Sequence, residues 1–267
     1  MTEIIHEPTV FAEPIFHLGS MTVTNSLLAS MLAVLVLVII GIWLRFSLKN
    51  IPKGLQNVFE TILEGALNLC DQVTGHRRLS LKILPIALTI FLFVLANNWL
   101  GLLPGVGTIG QIRIEGGHSI FVPYLRGGTA DINTTLALGI FSVVGANIFG
   151  IFSVGLWKTF NKYINLKILG SIFTKVRREP TILVVAPVQF FVGLVETIGE
   201  FAKIASLSFR LFGNIFAGEV LLASLGALIA YAVPIPFIFL EILVGLIQAL
   251  VFSMLTVVYF TIAAENH

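Results

Sequence analysis

Charged side chains recur inside the last two apolar stretches of the chain, where such groups are costly to bury. The stretches run over 181–231 and 235–264. A charge at the centre of a bilayer costs at least about 2.5 kcal/mol, so each of these side chains must face protein or water. The charged residues concerned are Glu196, Glu200, Lys203, Arg210, Glu219 and Glu241, and they are accompanied by the uncharged polar residues Asn214 and Gln248. Carboxylates that bind and release protons near a fixed positive charge are suited to moving ions.

Helical spacing gathers most of the polar residues of the first stretch on one side. A stripe about 80° wide, at about 100° per residue, holds Glu196, Glu200, Lys203, Arg210 and Asn214. Lys203 can pair with the acids one turn before it. Arg210 has no acid three or four residues away, and arginine stays charged at physiological pH, so it requires an anionic partner from elsewhere. The alternative is that these charges pair inside the bundle and only determine its packing.

Two further acids do not belong to this stripe. Glu219 points to a different side of the first stretch, and Glu241 belongs to the second. Because Arg210 is the last basic residue of the chain, neither acid has a basic partner later in the sequence. Asp131 and Asn133 open an earlier apolar run, where they form either part of a site or only a helix N-cap.

The composition requires a membrane protein. The 267 residues are 57% hydrophobic and 11% charged with a net charge of +2, whereas a soluble domain is about 25% charged. A soluble globule, a disordered chain and a nucleic-acid-binding protein are thereby excluded. The single cysteine excludes an intramolecular disulfide and a cysteine-based metal cluster. Since backbone groups in hydrocarbon must be paired, the apolar runs predict an all-α polytopic membrane protein.

Six helices are predicted to position the polar residues within one membrane domain over 1–267. Transmembrane helices are expected over 27–44, 83–103 and 132–157, an amphipathic helix over 54–75, a long helix over 181–231 and a last helix over 235–264. As one helix, 181–231 would measure about 75 Å at about 1.5 Å per residue, against a hydrocarbon core of about 30 Å. No turn signal divides it, so one steeply tilted helix and five crossings are predicted, with two spans as the alternative. The basic segment 160–176 is expected on the cytoplasmic surface.

The distribution of Lys and Arg predicts the orientation. Twelve of them lie in the segments after the first and third runs, against two in the N-terminal tail and the loop after the second run. The basic segments therefore belong in the cytoplasm. This places the N-terminus outside and the C-terminus inside, without a cleavable signal peptide. A bacterial inner membrane is expected, with a plastid or cyanobacterial membrane as the alternative.

Motifs for bond-making chemistry are missing from the sequence. All five histidines lie outside the apolar runs, so a haem held between helices is not expected. There is no Walker-type loop, nucleophile elbow or zinc motif, and neither a cofactor nor a metal is expected. Asn97, Asn98 and Trp99 are interpreted as part of an interfacial belt.

The stretch around Arg210 resembles subunit a of F-type ATP synthases. The residues that carry the resemblance are 206–214, with the sequence SLSFRLFGN, and Ala217–Gly218–Glu219. Further matches are 241–259 in the last helix, 130–135 at the start of the third span, and Pro187, Glu196 and Lys203. The resemblance extends from the first span to the C-terminus.

That resemblance implies a stator channel beside a rotating ring of c subunits, with peripheral-stalk b subunits and the rest of the ATP synthase as partners. In the family, protons enter one aqueous half-channel, bind a ring carboxylate, and leave by a second half-channel. Arg210 matches the essential arginine that attracts the ring carboxylate and separates the half-channels. The proton path implied includes Asn214 and Gln248 beside the arginine, Glu219, Glu241, Asp131 and Asn133 on the outer side, and Glu196 towards the cytoplasm.

Glutamate at both 219 and 241 departs from the family pattern, in which many members have histidine at one of these positions. Two nearby carboxylates can share one proton, and a sodium-translocating variant is an alternative. A stand-alone secondary transporter with Arg210 binding an anionic substrate would favour repeated halves, which are not found. A structural membrane subunit whose charges only determine packing is a third hypothesis.

Overall fold

The computed structural model describes residues 9–48, 54–115, 118–156, 182–228 and 234–264. The helices in these ranges are α1 (Asn25–Ser47), α2 (Leu55–Thr74), α3 (Arg77–Leu100), α4 (Ile132–Val154), α5 (Ile182–Leu228) and α6 (Pro234–Ala264). Of these, α1, α3, α4 and α6 are long and apolar enough to cross a membrane. The prediction of an all-α polytopic membrane protein is confirmed. The segment 160–176 lies outside the described residues.

The long helix α5 is continuous over 47 residues and contains Pro187 near its beginning. At about 1.5 Å per residue it measures about 70 Å, which is more than twice the thickness of the hydrocarbon core. The five crossings and the tilt stay predictions, because no bilayer accompanies the chain.

The observed helix ends agree better with local sequence signals, such as a capping glycine, than with the limits of the apolar runs. Gly75, at φ +68°, ends α2 and donates its N–H to the Asp71 carbonyl, as expected of a left-handed C-cap. The prediction for α3 is six residues late at its start, because the helix already begins at Arg77. Hydropathy marks only the apolar part of a helix, whereas the basic first turn is helical as well. Long basic side chains can extend from such a turn towards water.

Two antiparallel β-hairpins in the loops were not predicted. β1 (Pro14–Leu18) pairs with β2 (Met21–Thr24), and β3 (Gly110–Glu115) pairs with β4 (His118–Pro123). Gly110 is required where the β3–β4 strands meet, since a Cβ there would approach the Val122 carbonyl oxygen to 2.2 Å. Arg113 of β3 donates to the carbonyl of Pro14 at 3.0 Å and connects the two hairpins.

The core is built around α3 and α6. Its larger cluster contains Ile90, Val94, Val143, Leu207, Leu211, Ala249 and Phe252. Gly139 lets α4 approach α5 closely, because a Cβ there would lie 2.4 Å from the Ser208 hydroxyl; small residues commonly have this role in membrane helix pairs. Cys70 of α2 is buried in the second cluster. Burial and the neighbouring Asp71 raise the pKa of the Cys70 thiol, so the thiol is not activated.

The outer faces of the helices are apolar. On α5 alone, Phe191, Phe201 and Phe209 expose between 60% and 70% of their surface. α1 has a similar run of exposed aliphatic side chains, including Leu35, Val38, Ile39 and Ile42. Soluble monomers do not expose contiguous apolar surface of this extent. These faces therefore belong against lipid or against other membrane subunits.

Candidate functional site

Arg210 is an exposed cation near the middle of α5. Its guanidinium donates to the hydroxyl of Ser206, one turn earlier, at 3.4 Å. Among the described residues it makes no ion pair with any acid. Its neighbour Phe209 is 60% exposed, so the charge is surrounded by an apolar face. A cation in such surroundings requires a counter-charge or water from outside the chain.

The polar residues expected beside Arg210 make no hydrogen bond to its guanidinium among the described residues. Asn214 is exposed one turn further along α5, and Gln248 is half-buried on α6. Neither makes a hydrogen bond to Arg210 within the described part of the chain; Ser206 does so instead. The implied place of Asn214 and Gln248 beside the arginine therefore stays a prediction, and it does not rest on a direct hydrogen bond.

Glu200 and Lys203 compensate each other's charge. The Lys203 ammonium lies 2.7 Å from a Glu200 carboxylate oxygen, as the i,i+3 spacing predicted. Asn147 of α4 donates to the other oxygen of Glu200 at 3.2 Å, and Lys203 also lies 5.4 Å from the centre of the Tyr259 ring. Glu196 is half-buried one turn before Glu200. Glu200 and Lys203 thus contact α4 and α6.

A cavity of about 430 Å³ lies where α3 and α5 approach their ends and α6 begins. We call it the carboxylate cavity. Its polar lining comprises Asn98, Thr108, Arg126, Glu219 and Glu241. The loops over 101–108 and 123–130 close it on the side away from the bundle centre. It brings together two of the acids that were predicted for one path.

Glu219 is ion-paired inside the carboxylate cavity. The Arg126 guanidinium donates through Nη2 to Oε2 at 2.8 Å and through Nε to Oε1 at 2.9 Å. Arg126 is only 5% exposed, and its guanidinium carbon lies 5.9 Å from the centre of the Phe216 ring. The sequence alone suggested two acids without a basic partner. In the structure, Arg126 provides a cation for one of them, Glu219.

Glu241 is buried in the same cavity, and its side chain is 7% exposed. Within the described residues its carboxylate makes neither a hydrogen bond nor an ion pair. It lies against the backbone of α5 at Gly218, where a Cβ would come within 2.1 Å of the carboxylate carbon. Asn98 donates to the carbonyl of Gly245 at 2.8 Å, which holds this turn of α6 on α3.

We expect Gly218→Ala to displace the Glu241 carboxylate and to lower any transport that uses it at least fivefold. The added methyl would overlap the carboxylate oxygens at 2.1 and 2.3 Å. Gly226→Ala is the matched control, because a Cβ at Gly226 has no atom within 4 Å. Ion flux through membrane vesicles from both variants, at equal subunit level, makes the comparison. Equal flux would show that the position of this carboxylate is unimportant.

Asp131 and Asn133 lie in a different place, in a groove of about 620 Å³ between α1 and α4. Asp131 caps α4 by accepting the backbone N–H of Asn133 at 3.1 Å. Its other oxygen accepts from Ser26 of α1 at 3.0 Å. The structure therefore supports the N-cap interpretation, and it does not join Asp131 to the carboxylate cavity.

Asn97 and Asn98 are not an interfacial belt, since they are 0% and 3% exposed. Asn97 accepts from the Ser30 hydroxyl at 3.0 Å, and Asn98 accepts from Thr129 at 2.6 Å. Trp99 alone keeps a belt-like exposure of 41%. The two asparagines join α1, α3, α6 and the turn before α4 by hydrogen bonds across helices.

Sequence reasoning missed Arg126 and Gly218. Arg126 was counted only as an outer-loop charge, although two acids near one end of the last helices require a cation at that end. The sole candidates in the loop after the second run are Arg113 and Arg126. Gly218 belongs to the matching Ala217–Gly218–Glu219, but the sequence does not show its role, because that role depends on which residue of α6 faces it.

Comparison with known proteins assigns the whole bundle to one family. The family model described as "ATP synthase A chain" matches residues 27–261. The ATP synthase subunit a of Mycobacterium bovis is 33% identical over 253 residues, covering 93% of this chain and 90% of that protein. The subunit of the same name from Geotalea uraniireducens is 33% identical over 228 residues, covering 85% and 82%. The one from Moorella thermoacetica is 29% identical over 254 residues, covering 95% and 96%.

Proposed function

The chain belongs to the ATP synthase A chain family, and we propose that it is the proton-translocating stator of the membrane sector. It is a multi-pass membrane protein and a component of the ATP synthase complex. In the proposed mechanism it forms two offset half-channels against a ring of c subunits, with peripheral-stalk b subunits holding it in place. Its own residues bind, orient and separate charges, and no cofactor or metal is required.

The observation that carries this proposal is that Arg210 is exposed and makes no ion pair with an acid in the part of the chain that the structure describes. A ring carboxylate that has lost its proton would supply such an anion. Arginine cannot hand on a proton at physiological pH, so it can attract the ring carboxylate without opening a leak between the half-channels. Each leaked proton would waste about 2.3 kcal/mol per 100 mV.

The carboxylate cavity supports the proposed outer half-channel. Glu241 and Glu219 line it together with Asn98, and it lies at the end of the bundle to which the Lys and Arg distribution assigns the outer side. A proton arriving there would meet a buried carboxylate before reaching the ring. Asn214 and Gln248 lie between this cavity and Arg210 along their helices, where they would help to hold water.

Glu196 is proposed to lie on the way out towards the cytoplasm. It precedes the Glu200–Lys203 pair by one turn of α5, at the end of the helix away from the carboxylate cavity. The case for Asp131 and Asn133 as members of the proton path is weaker, because the Asp131 carboxylate already accepts a backbone hydrogen bond as the N-cap of α4. We assign both to holding the start of α4 and not to proton transfer.

ATP-driven proton uptake by inverted membrane vesicles tests the proposal. Substituting Arg210 should stop uptake at an unchanged level of the subunit, because the ring carboxylate would lose its counter-charge. The stand-alone transporter considered from the sequence is set aside, since the family is a subunit of a multi-subunit enzyme.

The proposed orientation in a bacterial inner membrane predicts where a C-terminal tag is reached. The twelve basic residues of the segments after the first and third spans favour the cytoplasm for those segments, and five crossings then leave the C-terminus inside. A protease or an impermeant reagent should reach the tag in inverted vesicles but not in right-side-out spheroplasts. Access from outside would instead require six crossings, with α5 divided into two spans.

A further inference from the structure

The carboxylate cavity contains three charged side chains among the described residues, from three different elements. Arg126 comes from the loop before α4, Glu219 from α5 and Glu241 from α6. α3 contributes the uncharged Asn98, and the loop over 101–108 contributes no charged side chain to the lining. One cation therefore shares the cavity with two acids, and it forms an ion pair with Glu219.

The ion pair between Arg126 and Glu219 involves several hydrogen bonds. Arg126 makes hydrogen bonds through two nitrogens to both oxygens of Glu219, at 2.8 to 3.1 Å. Such charge-assisted, two-point pairs are among the strongest hydrogen-bonded contacts in proteins. Glu219 would have to give up these bonds before it could take a proton. Glu241 is more deeply buried, and among the described residues it has no such bond to give up.

We propose that Arg126 is a positioning residue that neutralises Glu219, and that this leaves Glu241 as the carboxyl group exchanging protons in the cavity. The inference rests on the proposed function and assigns different roles to the two acids. Without Arg126, Glu219 would stand as an unbalanced anion beside Glu241. Without Glu219, Arg126 would stand as an unbalanced cation that repels incoming protons.

A merely structural role for Arg126 is the competing explanation. Its guanidinium also lies 3.4 Å from the Thr9 hydroxyl and 3.5 Å from the carbonyl of Phe11, so it anchors the N-terminal segment to the loop. Arg113 makes a comparable contact, donating to the carbonyl of Pro14 at 3.0 Å, but it does not line the cavity. Arg113→Gln is thus a matched control for the loss of an anchor.

The test compares Arg126→Gln, Glu219→Gln and the double variant in the complete ATP synthase. ATP-driven proton uptake into inverted vesicles is measured, with the amount of the subunit determined by immunoblotting. The uptake rate of each single variant should be at least fivefold lower than that of wild type, because the variant leaves one charge unbalanced. The double variant should recover at least half of the wild-type rate, since it removes the two opposite charges together. Arg126→Lys should retain more uptake than Arg126→Gln, and Arg113→Gln should stay within twofold of wild type.

Two results would overturn the inference. A double variant no better than the poorer single variant would show that Arg126 does not act through the charge of Glu219. Full uptake after Glu241→Gln in the double-variant background would show that Glu241 is not the exchanging group. If Arg126→Gln fails to assemble, an assembled and active double variant still supports the inference, whereas a double variant that also fails to assemble assigns Arg126 to anchoring alone.

Failure of the proposed function is read from a different variant in the same vesicles. Uptake that survives Arg210→Ala would overturn the stator proposal, whatever the substitutions at Arg126 do. Loss of uptake in Arg210→Ala, together with no recovery in the double variant, would overturn only the role assigned to Arg126.

Discussion

Replacing Arg210 with alanine should abolish ATP-driven proton uptake while the subunit stays in the membrane. The guanidinium is exposed on α5, and among the described residues it contacts only the Ser206 hydroxyl as a polar partner. Its removal therefore breaks no ion pair on which folding of the chain depends. What it removes is the exposed positive charge, which in the proposed mechanism attracts the ring carboxylate and separates the half-channels.

The measurement is uptake by inverted vesicles with ATP as the energy source, normalised to the amount of the subunit. We expect a residual rate below about one hundredth of wild type, a loss equivalent to more than about 2.7 kcal/mol at about 1.36 kcal/mol per tenfold change. Arg78→Ala is a suitable control, because Arg78 is an exposed arginine in the first turn of α3, outside the apolar part of the helix. The uptake rate of Arg210→Lys should fall between the rates of Arg210→Ala and Arg78→Ala, since a lysine keeps the charge but can lose its proton when desolvated. Normal uptake after Arg210→Ala would make Arg210 a packing charge.

Glu241→Gln should have the second largest effect, with a fall of at least tenfold in proton uptake. Glutamine has nearly the same size and shape as glutamate but cannot bind and release a proton in its place. Because the carboxylate is 7% exposed and makes no ion pair with any residue that the structure describes, the substitution breaks no described ion pair and should leave packing intact. A loss of uptake at normal subunit level would therefore report on the proton path and not on assembly.

ATP synthesis driven by an acid bath provides a second readout for Glu241→Gln. The lumen of an inverted vesicle corresponds to the outer side of the membrane, so lumenal protons must use the outer half-channel to drive synthesis. Glu64→Gln is the matched control, because Glu64 is exposed on α2 and far from the cavity lining. Synthesis at the wild-type rate in Glu241→Gln would remove Glu241 from the path and leave Glu219 as the remaining acid of the cavity.

The fold class could be predicted from the sequence because it depends on local physics. Apolar runs must be helical in hydrocarbon, and left-handed glycine ends helices, as Gly75 does. Pairing within one helix was also accessible: the contact of Glu200 with Lys203 follows from the i,i+3 spacing. The hairpins were not predicted, because strands of four to six residues in the loops give only a weak period-two signal beside the long apolar runs.

The site was predicted less completely, because its partners come from distant parts of the chain. Glu219 and its cation are separated by 93 residues in the sequence, and helical periodicity has no information over that distance. The same holds for Gly218, which matters only because Glu241 of the neighbouring helix lies against it. For Asp131 the sequence left two roles open, and its N-cap hydrogen bond and its contact with Ser26 of α1 favour the structural one.

The sequence by itself determined that this protein is a helical membrane subunit with a lone arginine in a long apolar helix. Those features follow from hydropathy, from the cost of charge in hydrocarbon and from the spacing around Arg210. Only the tertiary structure shows which of the two acids near the outer ends of these helices is paired with a cation. The reason is that one loop cation faces two acids of similar chemistry, and the packing of α3, α5 and α6 brings Arg126 to Glu219 and Glu241 to Gly218.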